Sequence, residues 1–436
     1  MSQKQKKDFV PFSMEDIKKA LFAGQCDTPF YLYDEVGIRK NIQEFTQAFS
    51  WIPNFKNYYA VKACPNPYIL ELLKEEGCGS DCSSLGELVL SEAVGIIGEN
   101  IMFTSNNTPI EDFKKAKELG AIINFDDISH IPFFEKYIGE IGELACCRYN
   151  PGDAKKGNAI IGNPKDAKYG MTKEQLFDAY KMLKKSGVTR FGIHTMVASN
   201  ELEPLYFVET AKILFETIIE IEKKVGITFE FVNLGGGIGI PYKPEDKKVD
   251  LNIISSEMKK VYDELFKDRE KPLNIVMEMG RMITGPFGYL ITSVTHFKNT
   301  YKHYIGVDAS MADLMRPGMY DAYHHVSVLG KENDSVKNIY DITGSLCENN
   351  DKFAIDRPIT QNIQIDDIIV IHDAGAHSHA MGFNYNAKLK PAEILWNSAH
   401  KNSGSKDEFT LIRRAEHLGD YFSTLRFANS RFDNLG

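Results

Sequence analysis

From about residue 58 to residue 291 the chain alternates between short apolar runs and amphipathic segments. The apolar runs have the length of buried strands, and the amphipathic segments have helical spacing and often end at a glycine. Eight runs of the strand type follow one another: NYYAVKA, GSDCSS, NIMFTS, AIINFDD, LACCRYN, RFGIHTMV, FEFVNLGGG and LNIVMEMG. Strands that alternate with helices predict parallel pairing through right-handed crossovers, and eight units favour a closed (β/α)8 barrel over an open sheet.

The pattern changes after about residue 290, where strand-like runs follow one another with few helical gaps. These runs are YLITSVTHFK, YKHYIGVDA, HHVSVLG, NIYDITG and DIIVIHDAG. They predict a mostly antiparallel β domain, and the early strand PFYLYD is a candidate to pair with it. The predicted organisation is therefore a barrel over residues 35–290 and a β domain made of residues 1–34 and 291–436.

The composition narrows the choice of partners and compartment. The 436 residues are 43% hydrophobic and 25% charged, as in an ordinary globular protein with a large core. The net charge of −9, from 51 basic and 60 acidic residues, disfavours nucleic acid and anionic membranes as partners. We see no signal peptide and no apolar run of about 18 residues, so we expect no membrane association. Seven cysteines without a paired metal-binding array predict free thiols, a cytoplasmic location and no metal site.

The ends of the predicted strands carry the candidate chemistry, because catalytic groups of such barrels lie at the carboxyl ends of the strands. Taken singly, each position has an ordinary structural explanation, such as a surface lysine, a turn glycine or an ion pair. These positions are Lys62, Asp81, Arg148, Asn150, the segment from His194 to Asn200, Gly235, Gly236, Gly237, Glu278 and Arg281.

Taken together, these residues suit one cofactor. The amides of the glycine triplet can approach a phosphate closely, since no side chain blocks them. Arg281 can add a charge-assisted contact, Glu278 can bond a protonated ring nitrogen, and Lys62 can form a Schiff base. This is the set that a pyridoxal phosphate site requires.

The same motifs resemble the fold-type III pyridoxal phosphate-dependent decarboxylases, with their alanine racemase-like barrel, and among them most closely the diaminopimelate decarboxylases. The resemblance runs from TPFYLYD near residue 28 to NAKLKPAEIL near residue 395. It implies that Lys62 is the Schiff-base lysine and that the glycine triplet binds the phosphate. Asp81 and Glu87 match the family's D-x-x-S-x-GEL pattern. Glu278 and Arg281 match its E-P-G-R pattern, with a methionine in place of the proline.

The resemblance also assigns roles in the C-terminal region. The segment GSLCENND matches a family loop in which Cys347 would be the acid near the substrate Cα and Glu348 would bind the distal amine. In this family the loop reaches the neighbouring subunit's site, which implies a homodimer with shared active sites. The segment LMRPGMYDAYHH implies that Arg316 and Tyr320 hold a distal carboxylate. Arg281 and Tyr385 complete the implied substrate site, although Tyr385 is equally suited to a packing role.

The implied reaction is the decarboxylation of meso-2,6-diaminopimelate to L-lysine and carbon dioxide through an aldimine and a quinonoid. Arg316 favours this substrate, because a second carboxylate needs a cationic partner that ornithine or lysine would leave unmatched. A decarboxylase of another diamino or amino-dicarboxylic acid on the same fold remains an alternative. A racemase is less favoured, because Glu278 at the ring nitrogen suits a full quinonoid. A cofactor-binding protein without catalysis is a further alternative, against which Cys347 and Glu348 argue.

Two segments depart from the family pattern. His377 stands where a phosphate-contacting tyrosine is expected, and an imidazole can also donate to a phosphate. In the pattern G-x-H-x-H-x-G-S, His194 matches the first histidine, but Met196 replaces the second and Ala198 replaces the glycine. Ser199 is retained and can bond the phosphate. We predict that Met196 makes a sulfur–aromatic contact with the cofactor ring. Alternatively, His194, on the same strand face, takes that place, or a bulge shifts the register.

Overall fold

A computed structural model describes residues 9–157, 162–401, 405 and 408–425. The chain divides into two units. The barrel unit consists of Arg39–Ile240 and Lys247–Ile283, and the β unit consists of the residues up to Ile38, Pro241–Asp246 and those from Thr284 onward. The predicted borders at residues 34/35 and 290/291 differ from these by a few residues. The sequence placed Pro241–Asp246 in the barrel, because six residues are too few to show a pattern of their own.

The chain enters through helix α1 (Met14–Gly24), strand β1 (Phe30–Asp34) and helix α2 (Glu35–Ala48). Helix α1 begins at a capping box, in which the Asp16 N–H donates to Ser13 Oγ at 3.3 Å and the Ser13 N–H donates to the Asp16 carboxylate at 2.8 Å. These reciprocal bonds satisfy backbone donors that the first turn of a helix leaves without partners. The cap therefore fixes where the helix starts.

Eight parallel strands form a closed barrel in chain order. They are β2 (Lys56–Ala60), β3 (Gly79–Cys82), β4 (Ile101–Thr104), β5 (Ile122–Phe125), β6 (Leu144–Tyr149), β7 (Arg190–Thr195), β8 (Phe229–Asn233) and β9 (Asn274–Met277). The barrel closes where β2 pairs with β9. The predicted (β/α)8 barrel is confirmed.

The barrel strands are followed by helices whose apolar faces point inward. These helices are α3 (Pro67–Glu75), α4 (Leu85–Ala93), α5 (Ile110–Glu118), α6 (His130–Tyr137), α7 (Lys173–Lys185), α8 (Pro204–Val225), α9 (Leu251–Phe266) and α10 (Arg281–Thr284). Helix α8 shows the pattern best, because Phe207, Ala211, Leu214 and Ile218 recur at helical spacing and are buried.

The remaining strands form a mostly antiparallel sheet, as predicted. They are β10 (Gly288–Asn299), β11 (His303–Val307), β12 (Val326–Val328), β13 (Lys337–Thr343), β14 (Lys352–Thr360), β15 (Ile368–Ile371), β16 (Ala392–Trp396) and β17 (Phe409–Arg413), with short helices α11 (Arg316–Tyr320) and α12 (Leu418–Phe422). The sheet order is β14-β13-β11-β10-β1-β16-β17, and β15 pairs with both β10 and β12. The early strand PFYLYD, which contains β1, therefore lies in this sheet.

Strand β1 lies in the middle of the sheet and is fully buried. It pairs antiparallel with β10 and parallel with β16. Its Phe30 and Leu32 pack in a core with Phe12 of the entering chain and Trp396 of β16. All seven cysteines are free. Across the described ranges, we find no helix that has the length and apolar character needed to cross a membrane.

Candidate active site

The first two barrel strands bring an amine beside a carboxylate. Lys62 lies in a 3-10 turn that follows β2, and Asp81 lies within β3. The β2–β3 pairing sets Ala60 opposite Asp81, so that Lys62 Nζ donates to Asp81 Oδ2 at 3.2 Å. The Lys62 side chain is 51% exposed, whereas the Asp81 side chain is 1% exposed. The amine is thus open to a ligand, while the carboxylate that holds it is not.

The protonation of this pair is set by burial and by neighbouring charges. Burial, together with the charges of Glu278 and Glu87, raises the pKa of Asp81 to about 7 despite the opposing effect of Lys62. Desolvation lowers the pKa of the Lys62 amine, but the same three carboxylates outweigh it and hold the pKa above its usual value. A nucleophilic Lys62 must lose a proton, and Asp81 has a pKa suited to exchanging one near neutrality.

Glu278 directly follows β9 and lies beside the ends of β7 and β8. Its Oε1 accepts a hydrogen bond from Asn233 Nδ2 at 2.6 Å, and its Oε2 lies 3.1 Å from His194 Nε2. Burial raises the pKa of Glu278, but the His194 charge and hydrogen bond, with Lys62 and Asn233, more than offset this and lower it. Glu278 is therefore an ionised, buried carboxylate, which suits a bond to a protonated ring nitrogen.

His194 lies on the strand β7 with its ring fully buried. Strand pairing sets His194 opposite Asn233, the other partner of Glu278. Its Nε2 faces Glu278, and its buried Nδ1 has no hydrogen-bond partner among the described residues. The alternative in which His194 takes the place at the cofactor ring stays a prediction, and the observed contact is with the carboxylate.

The glycine triplet packs against neighbouring backbone too closely for any side chain. Gly235 and Gly237 have φ values of +66° and +110°, which favour glycine. A Cβ at each glycine would collide with a carbonyl oxygen. A Cβ on Gly235 would lie 2.3 Å from Thr195 O, one on Gly236 would lie 2.7 Å from Glu278 O, and one on Gly237 would lie 2.6 Å from Ala198 O. Glycine is thus required for this packing, and the Gly235 N–H donates to Asn233 Oδ1 at 2.9 Å.

Met196 follows the last residue of β7 and contacts the glycine triplet. The Gly236 N–H donates to Met196 Sδ at 3.2 Å. The β7–β8 register shifts between Phe191 and Gly192, upstream of this contact. The predicted contact of Met196 with the cofactor ring stays a prediction. In this structure its sulfur lies on an amide of the predicted phosphate-binding loop.

Arg281 and Ser199 meet at the same end of the barrel, where Arg281 Nη2 donates to Ser199 Oγ at 3.4 Å. The barrel unit therefore offers an amine, an ionised carboxylate, a guanidinium and closely packed glycine amides. This donor set, with glycines whose Cβ positions are blocked by backbone, fits pyridoxal phosphate: Lys62 for its aldehyde, Glu278 for its ring nitrogen and the remaining groups for its phosphate.

The β unit holds the predicted distal-carboxylate residues on helix α11. Arg316 is 5% exposed, and its Nη1 donates to Tyr242 OH at 2.8 Å and to His324 Nε2 at 2.9 Å. The His324 Nδ1 lies 2.8 Å from the His372 carbonyl oxygen, which fixes the tautomer that leaves Nε2 as an acceptor. Tyr320, at the end of α11, is exposed. Arg316 is therefore held in place before any ligand arrives.

The segment with Cys347 and Glu348 is an exposed loop anchored at its end. Asp351 accepts the Met311 N–H at 2.6 Å and the Leu346 N–H at 2.8 Å. Asn350 Nδ2 donates to Gly318 O of α11 at 3.0 Å, which links the loop to the helix that carries Arg316. Within the β unit the structure thus brings the two predicted substrate-binding segments together.

The second departing segment, around residue 377, follows β15. His377 has a φ of +54°, in the left-handed region that favours glycine. Its neighbour His379 turns inward, with Nε2 3.2 Å from the Pro391 carbonyl oxygen, and burial lowers the pKa of His379. Tyr385 is exposed, and the adjacent Asn386 accepts the Cys347 N–H at 2.8 Å. Asn386 therefore ties this region to the Cys347 loop.

The sequence reasoning missed the residues that support the predicted ones. Asn233 is the last residue of β8. The rule that polar residues at the carboxyl ends of barrel strands carry the chemistry, which identified Glu278, also applies to Asn233. Tyr242 carried no such signal, since its role depends on a contact between segments distant in sequence, whereas His324 lies within the segment LMRPGMYDAYHH that carries Arg316. Asp351 lies at the end of the segment GSLCENND, where the resemblance assigns it no role.

The family model described as "Pyridoxal-dependent decarboxylase, pyridoxal binding domain" matches residues 36–285. The chain belongs to this family. The decarboxylase is therefore an enzyme of the pyridoxal phosphate-dependent carboxy-lyase type, and its cofactor is pyridoxal 5′-phosphate.

Individual relatives extend the match over both units. Protein TabA of Pseudomonas amygdali pv. tabaci is 38% identical over 92% of this chain and 91% of its own. The diaminopimelate decarboxylase of Methanothermobacter thermautotrophicus is 33% identical over 86% and 87% of the two chains. The solved diaminopimelate decarboxylase of M. jannaschii, in complex with L-lysine, has a TM-score of 0.85 and 30% identity, and the match covers 94% of each chain.

Proposed function

We propose that this decarboxylase converts meso-2,6-diaminopimelate to L-lysine and carbon dioxide, as the last step of lysine biosynthesis. The observation that carries the proposal is the buried Arg316 guanidinium, fixed by Tyr242 and His324. A guanidinium fixed in this way suits a carboxylate at the distal end of a substrate. Two similarities support the same substrate: the 33% sequence identity with a diaminopimelate decarboxylase, and the structural similarity to a diaminopimelate decarboxylase solved in complex with L-lysine.

The distal end of this substrate carries both an amine and a carboxylate. Arg316 and Tyr320 bind the carboxylate, and Glu348 of the partner subunit binds the amine. The exposure of Cys347 and Glu348 on a loop of the β unit is compatible with entry into a second copy of this chain. We therefore include a homodimer with shared active sites in the proposal.

The barrel residues prepare the reacting end. Lys62 passes a proton to Asp81, so that its amine becomes able to bond the cofactor aldehyde. Glu278, kept ionised by His194 and Asn233, holds a proton at the ring nitrogen. When bound, pyridoxal phosphate supplies an electron-poor ring that accepts the electron pair left by the departing carboxylate carbon.

The other roles complete the site. The glycine triplet, Ser199, Arg281 and His377 bind the phosphate, Met196 contacts the ring, and Arg281 and Tyr385 border the substrate. After the bond to the carboxylate carbon breaks, Cys347 of the partner subunit delivers a proton to Cα, and the amino acid leaves with one carboxylate fewer.

A second candidate substrate is another amino acid with a second charged end. TabA, whose name states no substrate, shares 38% identity with this chain, more than the 33% of the Methanothermobacter diaminopimelate decarboxylase. Met196, Ala198 and His377 depart from the family pattern at the cofactor side. These changes favour a site that differs in detail from that of the diaminopimelate enzymes.

The test is carbon dioxide release by the holoenzyme from a panel of substrates at equal concentration. Release from meso-diaminopimelate, but not from L-lysine, L-ornithine or L-arginine, supports the proposal. Faster release from a different amino-dicarboxylic or diamino acid establishes the second candidate and overturns the first. Racemisation of an amino acid without release of carbon dioxide contradicts both.

A further inference from the structure

The β unit contains a cavity of about 350 Å³ that none of the roles above uses. Its walls come from strands β12 and β14, from the segments on either side of β12, which include Tyr323 and His325, from Lys337 of β13, and from Pro244 and Glu245. None of the predicted site residues lines it. Its volume lies within the range of small-molecule sites.

Arg357, on β14, is the most distinctive group of the cavity. Its guanidinium carbon lies 4.1 Å from the centre of the Tyr323 ring, and its Nη1 donates to the His324 carbonyl oxygen at 3.3 Å. Burial lowers the pKa of Arg357. Within the described part of the chain, no carboxylate oxygen lies within 4 Å of it. A half-buried guanidinium is ordinarily paired, so this one is fixed in position but not neutralised.

A second cation beside the cavity, Lys337, has no carboxylate of the described residues in direct contact, although its charge contributes to lowering the pKa of Asp334. Lys337, the first residue of β13, makes no hydrogen bond or ion pair in the described ranges, whereas Lys331 pairs with Asp367 at 2.6 Å. Lys331 thus differs from Lys337 and Arg357 in having a carboxylate partner. Among the described residues, Lys337 and Arg357 have no carboxylate within 4 Å, unlike Lys331.

The carboxylates of the cavity do not neutralise these two cations. Asp356 pairs with Lys302 at 2.9 Å, outside the cavity, and Glu332 accepts the Gly330 N–H at 2.9 Å. Glu245 is exposed at the rim. The guanidinium of Arg357, which has no carboxylate partner among the described residues, therefore favours a ligand that carries a carboxylate.

Apolar side chains supply the rest of the walls. Val326 and Val328 of β12 and Pro358 and Ile359 of β14 line the same space. We propose that this cavity is a second binding site, for a small molecule with a short carbon chain and a carboxylate. Arg357 receives the carboxylate through two parallel hydrogen bonds, with Lys337 beside it, and the carbon chain lies on the apolar wall. This site is independent of the proposed decarboxylation.

Succinate is the probe, because it has carboxylates but no amine with which to react at the cofactor. Calorimetric titration of the holoenzyme with succinate is compared with titration by succinamide, which has the same size and no charge. We expect binding of succinate and none of succinamide. Inorganic phosphate is the third arm, and phosphate that binds as tightly as succinate overturns the carboxylate assignment.

Variants locate the binding. Arg357→Gln is expected to weaken succinate binding about 10-fold to 100-fold, the range for loss of a charged hydrogen bond. Arg414→Gln is the matched control, since Arg414 is an exposed arginine paired with Asp420 in the same unit, and it is expected to bind succinate as the parent protein does.

Arg316→Gln separates this site from the proposed active site. Succinate binding lost in Arg316→Gln but kept in Arg357→Gln overturns the proposal and places the ligand at the substrate arginine. Lys337→Gln, at the start of β13, provides a second variant if Arg357→Gln does not fold. Unchanged affinity in Lys337→Gln would then also overturn the proposal.

Discussion

His194 Nε2 lies 3.1 Å from Glu278 Oε2, and both side chains are buried inside the barrel. The histidine stands on β7, and the carboxylate follows β9, so the contact spans the intervening strand β8. Asn233 of β8 donates to the other carboxylate oxygen at 2.6 Å. Consecutive strands thus cooperate to keep one carboxylate ionised, as a protonated ring nitrogen requires.

Replacing His194 by leucine should remove one hydrogen-bond partner of the buried Glu278 carboxylate. A buried ionised group that loses one hydrogen-bond partner destabilises the fold by about 1–3 kcal/mol or more, so we expect a clear fall in the thermal midpoint of unfolding. His194→Gln, which keeps a donor group, should recover part of the loss. Calorimetry of both variants checks this, and equal midpoints in the leucine variant and the parent protein would contradict it.

Glu278→Gln tests the charge rather than the packing. Glutamine retains an oxygen that can accept from Asn233, so we expect the fold to persist. Loss of the charge at the ring nitrogen should lower kcat by roughly 100-fold or more, as for other electrostatic groups in active sites. Glu257→Gln, an exposed residue paired with Lys260, is the control and should keep full activity. Steady-state kinetics of carbon dioxide release measures this effect. A Glu278→Gln variant with the kcat of the parent protein would show that Glu278 does not act at the ring nitrogen.

The fold was largely predictable from the sequence, because strand and helix periodicities carry through the barrel without interruption. The strand ends also identified Lys62, Asp81 and Glu278, since their positions follow from the barrel rule alone. The placement of Met196 was not predictable in this way. Its sulfur bonds the Gly236 amide across two loops, and contacts between loops leave no periodic signal in either segment.

Asp81 should give the protein an unusual dependence of stability on pH. In the folded chain Asp81 keeps its proton up to about pH 7, whereas an unfolded aspartate loses it near pH 3.8. Between these values the folded state binds more protons, so the contribution of Asp81 to stability falls as pH rises. Relative to Asp81→Asn, the thermal midpoint of the parent protein should be highest near pH 4, fall until about pH 7 and then level.

The control for this pH series is Asp263→Asn, which changes an exposed aspartate paired with Lys259. The difference in thermal midpoint between Asp263→Asn and the parent protein should not fall between pH 4 and pH 7. A difference between the parent protein and Asp81→Asn that stays constant from pH 4 to pH 8 would show that Asp81 titrates normally.

Gly235→Ala should damage both the fold of the loop and cofactor binding. Gly235 has a φ of +66°, and its Cβ would lie 2.3 Å from the Thr195 carbonyl oxygen. Gly98→Ala is the matched control, because Gly98 has a φ of +63° and nothing within 4 Å of its Cβ. Both variants incur a backbone strain of about 1–3 kcal/mol, and only Gly235→Ala adds the steric overlap.

We expect Gly98→Ala to lower the thermal midpoint slightly and to leave pyridoxal phosphate affinity unchanged. Gly235→Ala should lower the midpoint further and weaken the affinity, measured by titrating cofactor-depleted protein with pyridoxal phosphate. The comparison separates two reasons for a glycine, since backbone conformation is common to both positions and close packing is confined to one. If the two variants lose equal stability and both keep the affinity, the packing of the glycine triplet against β7 does not shape the phosphate site.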